Sequence, residues 1–107
     1  MDEAVSIPSL IAELRGPWQP VEVTHANDAV VRLAFLDGAF AWHHHDEDEL
    51  FLCWDGSFRI EMDGRDPVGL VAGDVFVVPK GVEHRPVAPA GAHALMLERP
   101  ETKQYGN

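Results

Sequence analysis

The sequence predicts an all-β, antiparallel domain of sandwich or barrel type with one short helix in front of it. Three observations carry this: short runs rich in β-branched and aromatic residues, turn pairs separating them at close intervals, and a helical period confined to the first 15 residues. With 107 residues the chain has the length of about one ordinary domain.

Ile7, Leu10, Ile11 and Leu14 fall at i, i+3, i+4 and i+7, with Ser6 placed to cap and Gly16-Pro17 to stop, so a helix is expected over 7–15. After Pro20 the period changes. Strands are expected at 21–24, 29–35, 39–45, 49–54, 57–62, 68–71, 75–78 and 92–98. They are punctuated by Asn27-Asp28, Asp55-Gly56, Asp63-Gly64, Gly73-Asp74, Gly81 and Pro89-Ala90-Gly91. The organisation expected is an N-terminal arm with the helix (1–19), a β-barrel (20–99) and a loose C-terminal tail (100–107). Strand 49–54 is apolar on both faces. Phe51 and Cys53 point one way and Leu50, Leu52 and Trp54 the other, so a covering element or a second copy of the chain is expected over the outer face.

Hydrophobic residues make up 46% and charged residues 24%, the balance of a soluble globular protein. Eighteen acidic against eight basic residues give a net charge of −10, so nucleic acids and anionic membranes are not expected partners. The single cysteine, Cys53, cannot close an intrachain disulfide. The N-terminus lacks the basic start and apolar core of a signal peptide, and no apolar run nears the roughly 20 residues of a membrane span. A cytoplasmic protein is expected.

The chemistry concentrates in two segments. Residues two apart on a strand share a face, so His43 and His45 project together while Trp42 and His44 point away. Glu49 has the same parity. Four residues of straight strand would carry it roughly 13 Å from His45, so the chain must turn at Asp46-Glu47-Asp48, as a hairpin would, to bring it onto a neighbouring strand about 5 Å away. A fourth residue, His84, follows Pro79-Lys80-Gly81, but nothing local brings it to His43. Taken alone, the histidine triplet could be an exposed turn and 46–49 a solvated charge run.

The two segments together resemble the cupin family. Its first motif, G-x4/5-H-x-H-x3/4-E-x6-G, is filled by Gly38, His43, His45, Glu49 and Gly56. Its second, G-x5-P-x-G-x2-H-x3-N, is filled by Gly73, Pro79, Gly81 and His84, with Ala88 standing where the family has asparagine. The resemblance implies an antiparallel jelly-roll β-barrel and one divalent transition metal ion (Zn, Fe, Mn, Ni or Cu) held by His43, His45, Glu49 and His84. His44 is expected not to ligate, and His25 and His93 to be structural. Three imidazoles and one carboxylate leave coordination positions open. The function expected is a metal-dependent enzyme on a small organic molecule, of oxygenase, isomerase or lyase type, with Glu49 as the catalytic carboxylate. The alternative is a non-catalytic binding or sensing module. A sugar-phosphate isomerase is less well supported, with only Lys80 and Arg85 as phosphate partners. Phe51, Cys53, Phe58, Ile60 and Met62 are expected to line a small apolar interior, and the chain to form a homodimer.

Overall fold

The β-branched runs form six strands: β1 (Val21–Ala26), β2 (Ala29–Ala39), β3 (Glu49–Met62), β4 (Arg65–Val71), β5 (Val75–Val78) and β6 (His84–Glu98), after one helix, α1 (Ile7–Ile11). The structure, a computed structural model, describes residues 3–107. Every strand pairing is antiparallel, in the order β1-β2-β6-β3-β4 with β5 on the other part of β3. The path has two free ends, yet all strands from β2 onward supply side chains to one buried core. The sheet therefore curls around its own inner face, which is the jelly-roll architecture the sequence predicts.

Alternation places the core. Along β3 the residues Phe51, Cys53, Phe58, Ile60 and Met62 are all buried, while their odd-step neighbours are not. β6 runs through the centre of the sheet. Its C-terminal part pairs with β2 and the start of β3, and its N-terminal part pairs with the end of β3.

Two expected turns are instead bends inside long strands. Asp55-Gly56 lies within β3 and Pro89-Ala90-Gly91 within β6, where the register shifts between Cys53 and Asp55 and between Gly56 and Arg59. The glycines have a different task there. Gly56, at φ 71°, lies so near β6 that a Cβ on it would sit 2.6 Å from the Gly91 carbonyl oxygen, so the two strands approach here only because Gly56 carries no side chain, whereas a Cβ on Gly91 would meet the Phe35 ring of β2 at 3.3 Å.

The helix is shorter than the expected 7–15. Ser6 caps it, its Oγ accepting from the Ser9 N–H at 3.2 Å, but no residue of α1 is buried, and without packing a short helix is not extended. The expected strand 39–45 is also reduced: β2 ends at Ala39, and beyond it only His43 bridges to His84. The tail is not loose. Arg32 donates to the carbonyls of Pro100 (2.9 Å) and Thr102 (3.0 Å), and Thr102 is buried.

Candidate metal centre

His43 and His84 face each other across a two-hydrogen-bond bridge, each N–H donating to the other's carbonyl at 3.0 and 2.8 Å. The parity expected of the histidine triplet is present. His43 and His45 are buried, Trp42 is exposed, and His44 turns outward with Nδ1 3.5 Å from Glu83 Oε2. The hairpin expected between His45 and Glu49 is not formed. The chain bends at 46–47, but Glu49 pairs with Val78 of β5 and not with the histidine segment. The reason lies in the 79–81 turn, which takes that edge first: Gly81 N–H donates to the His45 carbonyl (2.8 Å) and Lys80 N–H to Asp48 Oδ1 (2.8 Å). Gly81 reaches this position with φ 81°, a conformation side chains disfavour. Glu49 thus meets the imidazoles across the interior.

His43, His45, Glu49 and His84 are all buried, and one potential ligand atom from each lies within 4.8 Å of the others. Glu49 Oε1 is 3.4 Å from His45 Nε2 and 3.5 Å from His84 Nε2, too long for the tight charge-assisted bonds such groups otherwise form. Glu49 Oε1, His84 Nε2 and His45 Nδ1 are buried without a hydrogen-bond partner among the described residues. Unpaired buried polar atoms are costly, and two of them, Glu49 Oε1 and His84 Nε2, lie 3.5 Å apart with His45 Nε2 3.4 Å from the same carboxylate oxygen, a grouping that fits a shared cation. The orientation of two rings fits as well: His43 Nδ1 lies 2.8 Å from the Ala41 carbonyl and His84 Nδ1 2.8 Å from that of Val82. Donation there leaves each Nε2 as the basic nitrogen, the arrangement that supports imidazole ligands.

The electrostatics agree with an anionic carboxylate among imidazoles. Burial alone would raise Glu49, but the close approach and charge of His45 and His84 outweigh it and bring it down to about 2. For His43 burial dominates and lowers the pKa, favouring the neutral ring. Burial also opposes charge on His45, yet the Glu49 contact overcomes it and the net shift is upward.

Beside the cluster is a cavity of about 270 Å³. His43 and Glu49 form one part of its wall, Trp18, Phe40, Phe51 and Met96 its apolar body, and Arg32, Glu98, Thr102 and Gln104 its remaining polar groups. Glu98 was not among the expected site residues. It is buried, 3.5 Å from Arg32 Nη1, and held at about 8 first by burial and then by the charge of Glu49. A signal existed in the sequence: Ala92, Ala94, Met96 and Glu98 share one parity, and so do Val30, Arg32, Ala34 and Leu36, so a charged residue stands on the inward face of each strand.

Several expectations need correction. Cys53 does not reach the cavity wall; it is buried near the bend, its Sγ 3.5 Å from the carbonyls of Asp55 and Gly56, and burial followed by the charges of Asp55 and Asp74 raises its pKa. Of the five inward residues of β3 only Phe51 lines the cavity. Lys80 and Arg85 are not on its wall either, and Arg85 is engaged by Glu61 and the ring of Trp42. His25 pairs with Glu22 and His93 with Asp55, both far from the cluster in the sheet. Ala88, in place of the motif asparagine, is buried opposite Gly38 and offers no hydrogen bond from its side chain.

Comparison with known proteins agrees with this fold. The family model described as a cupin domain matches residues 30–98. The chain is 33% identical over 86 residues to the uncharacterized protein YdbB of Bacillus subtilis (strain 168), covering 79% of this chain and 76% of that one. The crystal structure of a cupin-2 domain containing protein from Shewanella frigidimarina NCIMB 400 superposes with a TM-score of 0.84 at 30% identity, over 89% of this chain and 93% of that one. A hydroquinone 1,2-dioxygenase from Sphingomonas sp. TTNP3, solved with 4-hydroxybenzoate bound, shares the fold at a TM-score of 0.77 and 18% identity, over 90% of this chain and 72% of that one.

Proposed function

This chain belongs to the cupin family, and from that premise we propose that it is a metal-dependent enzyme acting on a small organic molecule. The observation that carries the proposal is the convergence of one potential ligand atom each from buried His43, His45, Glu49 and His84 within 4.8 Å, with Glu49 Oε1 and His84 Nε2 unpaired, beside a cavity large enough for a ligand. His43, His45, Glu49 and His84 would hold one divalent transition metal ion. When bound, the ion supplies Lewis acidity or redox chemistry to a molecule in the cavity. The chain's own residues do the rest. Backbone carbonyls of Ala41 and Val82 orient two of the rings, Glu49 supplies the negative charge, and Trp18, Phe40 and Phe51 give the cavity an apolar wall beside the cluster. The dioxygenase that shares this fold favours oxygenase chemistry as the first to test, with isomerase and lyase chemistries beside it.

The test begins with elemental analysis of protein purified without added metal, followed by turnover assays on small diols, thiols, keto acids and aromatic diols under air and under nitrogen. Glu49→Gln should lower turnover more than it lowers metal content, because three imidazoles remain to hold the ion while the charge is gone. Failure of every metal form to consume any compound, with a ligand recovered unchanged from the cavity, would establish the alternative of a binding or sensing module.

We also infer a homodimer. On the outer face Trp54, Val75, Val77 and Leu97 are exposed, and pairing places Val77 beside Leu50 and Leu97 beside it on the other flank. The apolar stripe of α1, Ile7, Leu10 and Ile11, is half-buried. Apolar surface of this extent is covered in most soluble proteins. Light scattering should give a dimer mass that Trp54→Glu shifts toward monomer; a monomer mass for both proteins would end this reading.

A further inference from the structure

Two of the three imidazoles in the cluster are held from behind in the same way. In His43 and His84 the ring Nδ1 lies 2.8 Å from the carbonyl two residues earlier, that of Ala41 and of Val82. His45 has no such support. The matching carbonyl, that of His43, accepts the His84 N–H at 2.8 Å, and His45 Nδ1 is buried without a hydrogen-bond partner among the described residues. Its Nε2 faces Glu49 at 3.4 Å, so Nδ1 is the nitrogen left on the far side of the ring. A ligating histidine donates its other N–H to a carbonyl or carboxylate, which fixes the tautomer and the ring plane. His45 alone lacks that acceptor.

Segment 100–107 brings one to it. Arg32 donates to the carbonyls of Pro100 and Thr102 at 2.9 and 3.0 Å, Thr102 Oγ1 donates to Glu47 at 3.0 Å, and Gln104 Nε2 donates to the Trp18 carbonyl at 2.8 Å. Tyr105 packs on Phe40 with ring centroids 4.8 Å apart. A close approach follows at Gly106, whose φ is 104°. A Cβ there would stand 2.7 Å from the His44 carbonyl oxygen and 3.1 Å from His43 Cβ, so a side chain is disfavoured both by space and by backbone conformation. Asn107 then lies against the ligand-bearing chain. Its N–H donates to the His44 carbonyl at 3.0 Å, and its Oδ1 lies 3.4 Å from the Asp46 nitrogen. These two contacts flank His45 in the chain. Burial lowers the pKa of that ring, while hydrogen bonding from Glu49 and then from the Asn107 side chain raises it.

We propose that Asn107 is the positioning residue of His45: its amide oxygen accepts the Nδ1–H when Nε2 ligates, and residues 102–106 form the strap that delivers it. The proposal rests on the reading of the cluster as a metal centre. Asn107 is not on the cavity wall and has no step in the chemistry. Coordination at Nε2 draws electron density from the ring and makes Nδ1–H a stronger donor, so an acceptor poised there contributes most when the ion is present. A side chain that only pinned the strap would contribute equally with and without metal.

The experiment titrates the full chain, stripped by chelation, with Co²⁺ alone. It reads the affinity and the visible absorption of the bound ion, which responds to ligand geometry. Asn107→Ala should weaken Co²⁺ binding about tenfold and alter the spectrum. Asn107→Asp keeps an acceptor and should bind within about threefold of wild type, or more tightly, with the wild-type spectrum. Gly106→Ala should follow Asn107→Ala, because the added Cβ pushes the strap off the His44 carbonyl. Denaturant unfolding of the metal-free proteins is the control, and Asn107→Ala should share the wild-type midpoint. Wild-type affinity in Asn107→Ala, an equal loss in Asn107→Asp, or a loss matched by a fall in metal-free stability would overturn the proposal and leave the metal centre standing. A wild-type protein that takes up no Co²⁺ would overturn the metal reading, and this proposal with it.

Discussion

Two histidine–carboxylate arrangements lie at different places in this sheet, and they differ in kind. At the bend of β3, His93 donates to Asp55 Oδ1 at 2.8 Å from its ring and at 3.0 Å from its backbone N–H, and Asp55 is half exposed. At the start of β3, Glu49 stands 3.4 and 3.5 Å from two imidazoles, all buried, with atoms left unpaired. The first pair is complete in itself and pins a bulge. The second is a set of donors whose geometry is incomplete without a further group. The same residue types thus serve structure when short and solvated, and suit ligation when long, buried and convergent.

Metal content breaks or sharpens this contrast most strongly. His45→Ala or His84→Ala should remove most of the bound ion, each deleting one of four protein ligands, whereas His44→Ala and His93→Ala should retain it. Elemental analysis of the four proteins decides the matter, and loss in His93→Ala equal to that in His45→Ala would erase the distinction. Acidification should act on the buried cluster. Because the pKa of His45 is raised, it takes up a proton earlier than an ordinary imidazole as pH falls. A protonated ring cannot ligate, so metal affinity should begin to decline before the pH has fallen to the ordinary imidazole value of about 6.5.

The bend offers the next largest effect. Gly56→Ala places a Cβ 2.6 Å from a backbone oxygen at φ 71°, whereas Gly64→Ala has the same φ and nothing within 4 Å. The first should cost about 2 to 4 kcal/mol and the second about 1 kcal/mol, measured by denaturant unfolding of metal-free protein. Equal losses would show that β3 and β6 relax apart without difficulty.

How much of this was legible in the sequence follows from range. The parity of His43, His44 and His45 is a local property of extended chain, and the structure keeps it. The inward set Phe51 to Met62 is local in the same way. Pairing partners are not local: Glu49 was expected beside the histidine segment because 46–48 has hairpin length, but hydrogen bonds from Lys80 and Gly81, more than thirty residues away, hold that segment first. Gly56 and Gly91 read as turns because a glycine at a bend and a glycine at a close approach look alike until the opposing strand is known. Glu98 was legible by parity and passed over, since a single charged residue at a strand end is usually solvated.

The smallest effect separates the two sites from the structural side. Asp55→Ala removes both hydrogen bonds that Oδ1 accepts from His93, whereas Asp55→Asn retains one acceptor oxygen. Half exposure lets water replace much of what is lost, so the alanine variant should be destabilised by about 1 kcal/mol and the asparagine variant by less. His93 still packs against Phe35 at 5.1 Å, which keeps the ring in place. Neither variant should alter metal content, because β3 carries the bend and Glu49 on separate segments, with Leu50 to Cys53 between them. A stability loss confined to unfolding experiments would mark Asp55–His93 as a pin. A concurrent loss of metal would instead mean that the bend sets the position of Glu49 along β3, coupling the two regions through a strand the structure shows to be continuous.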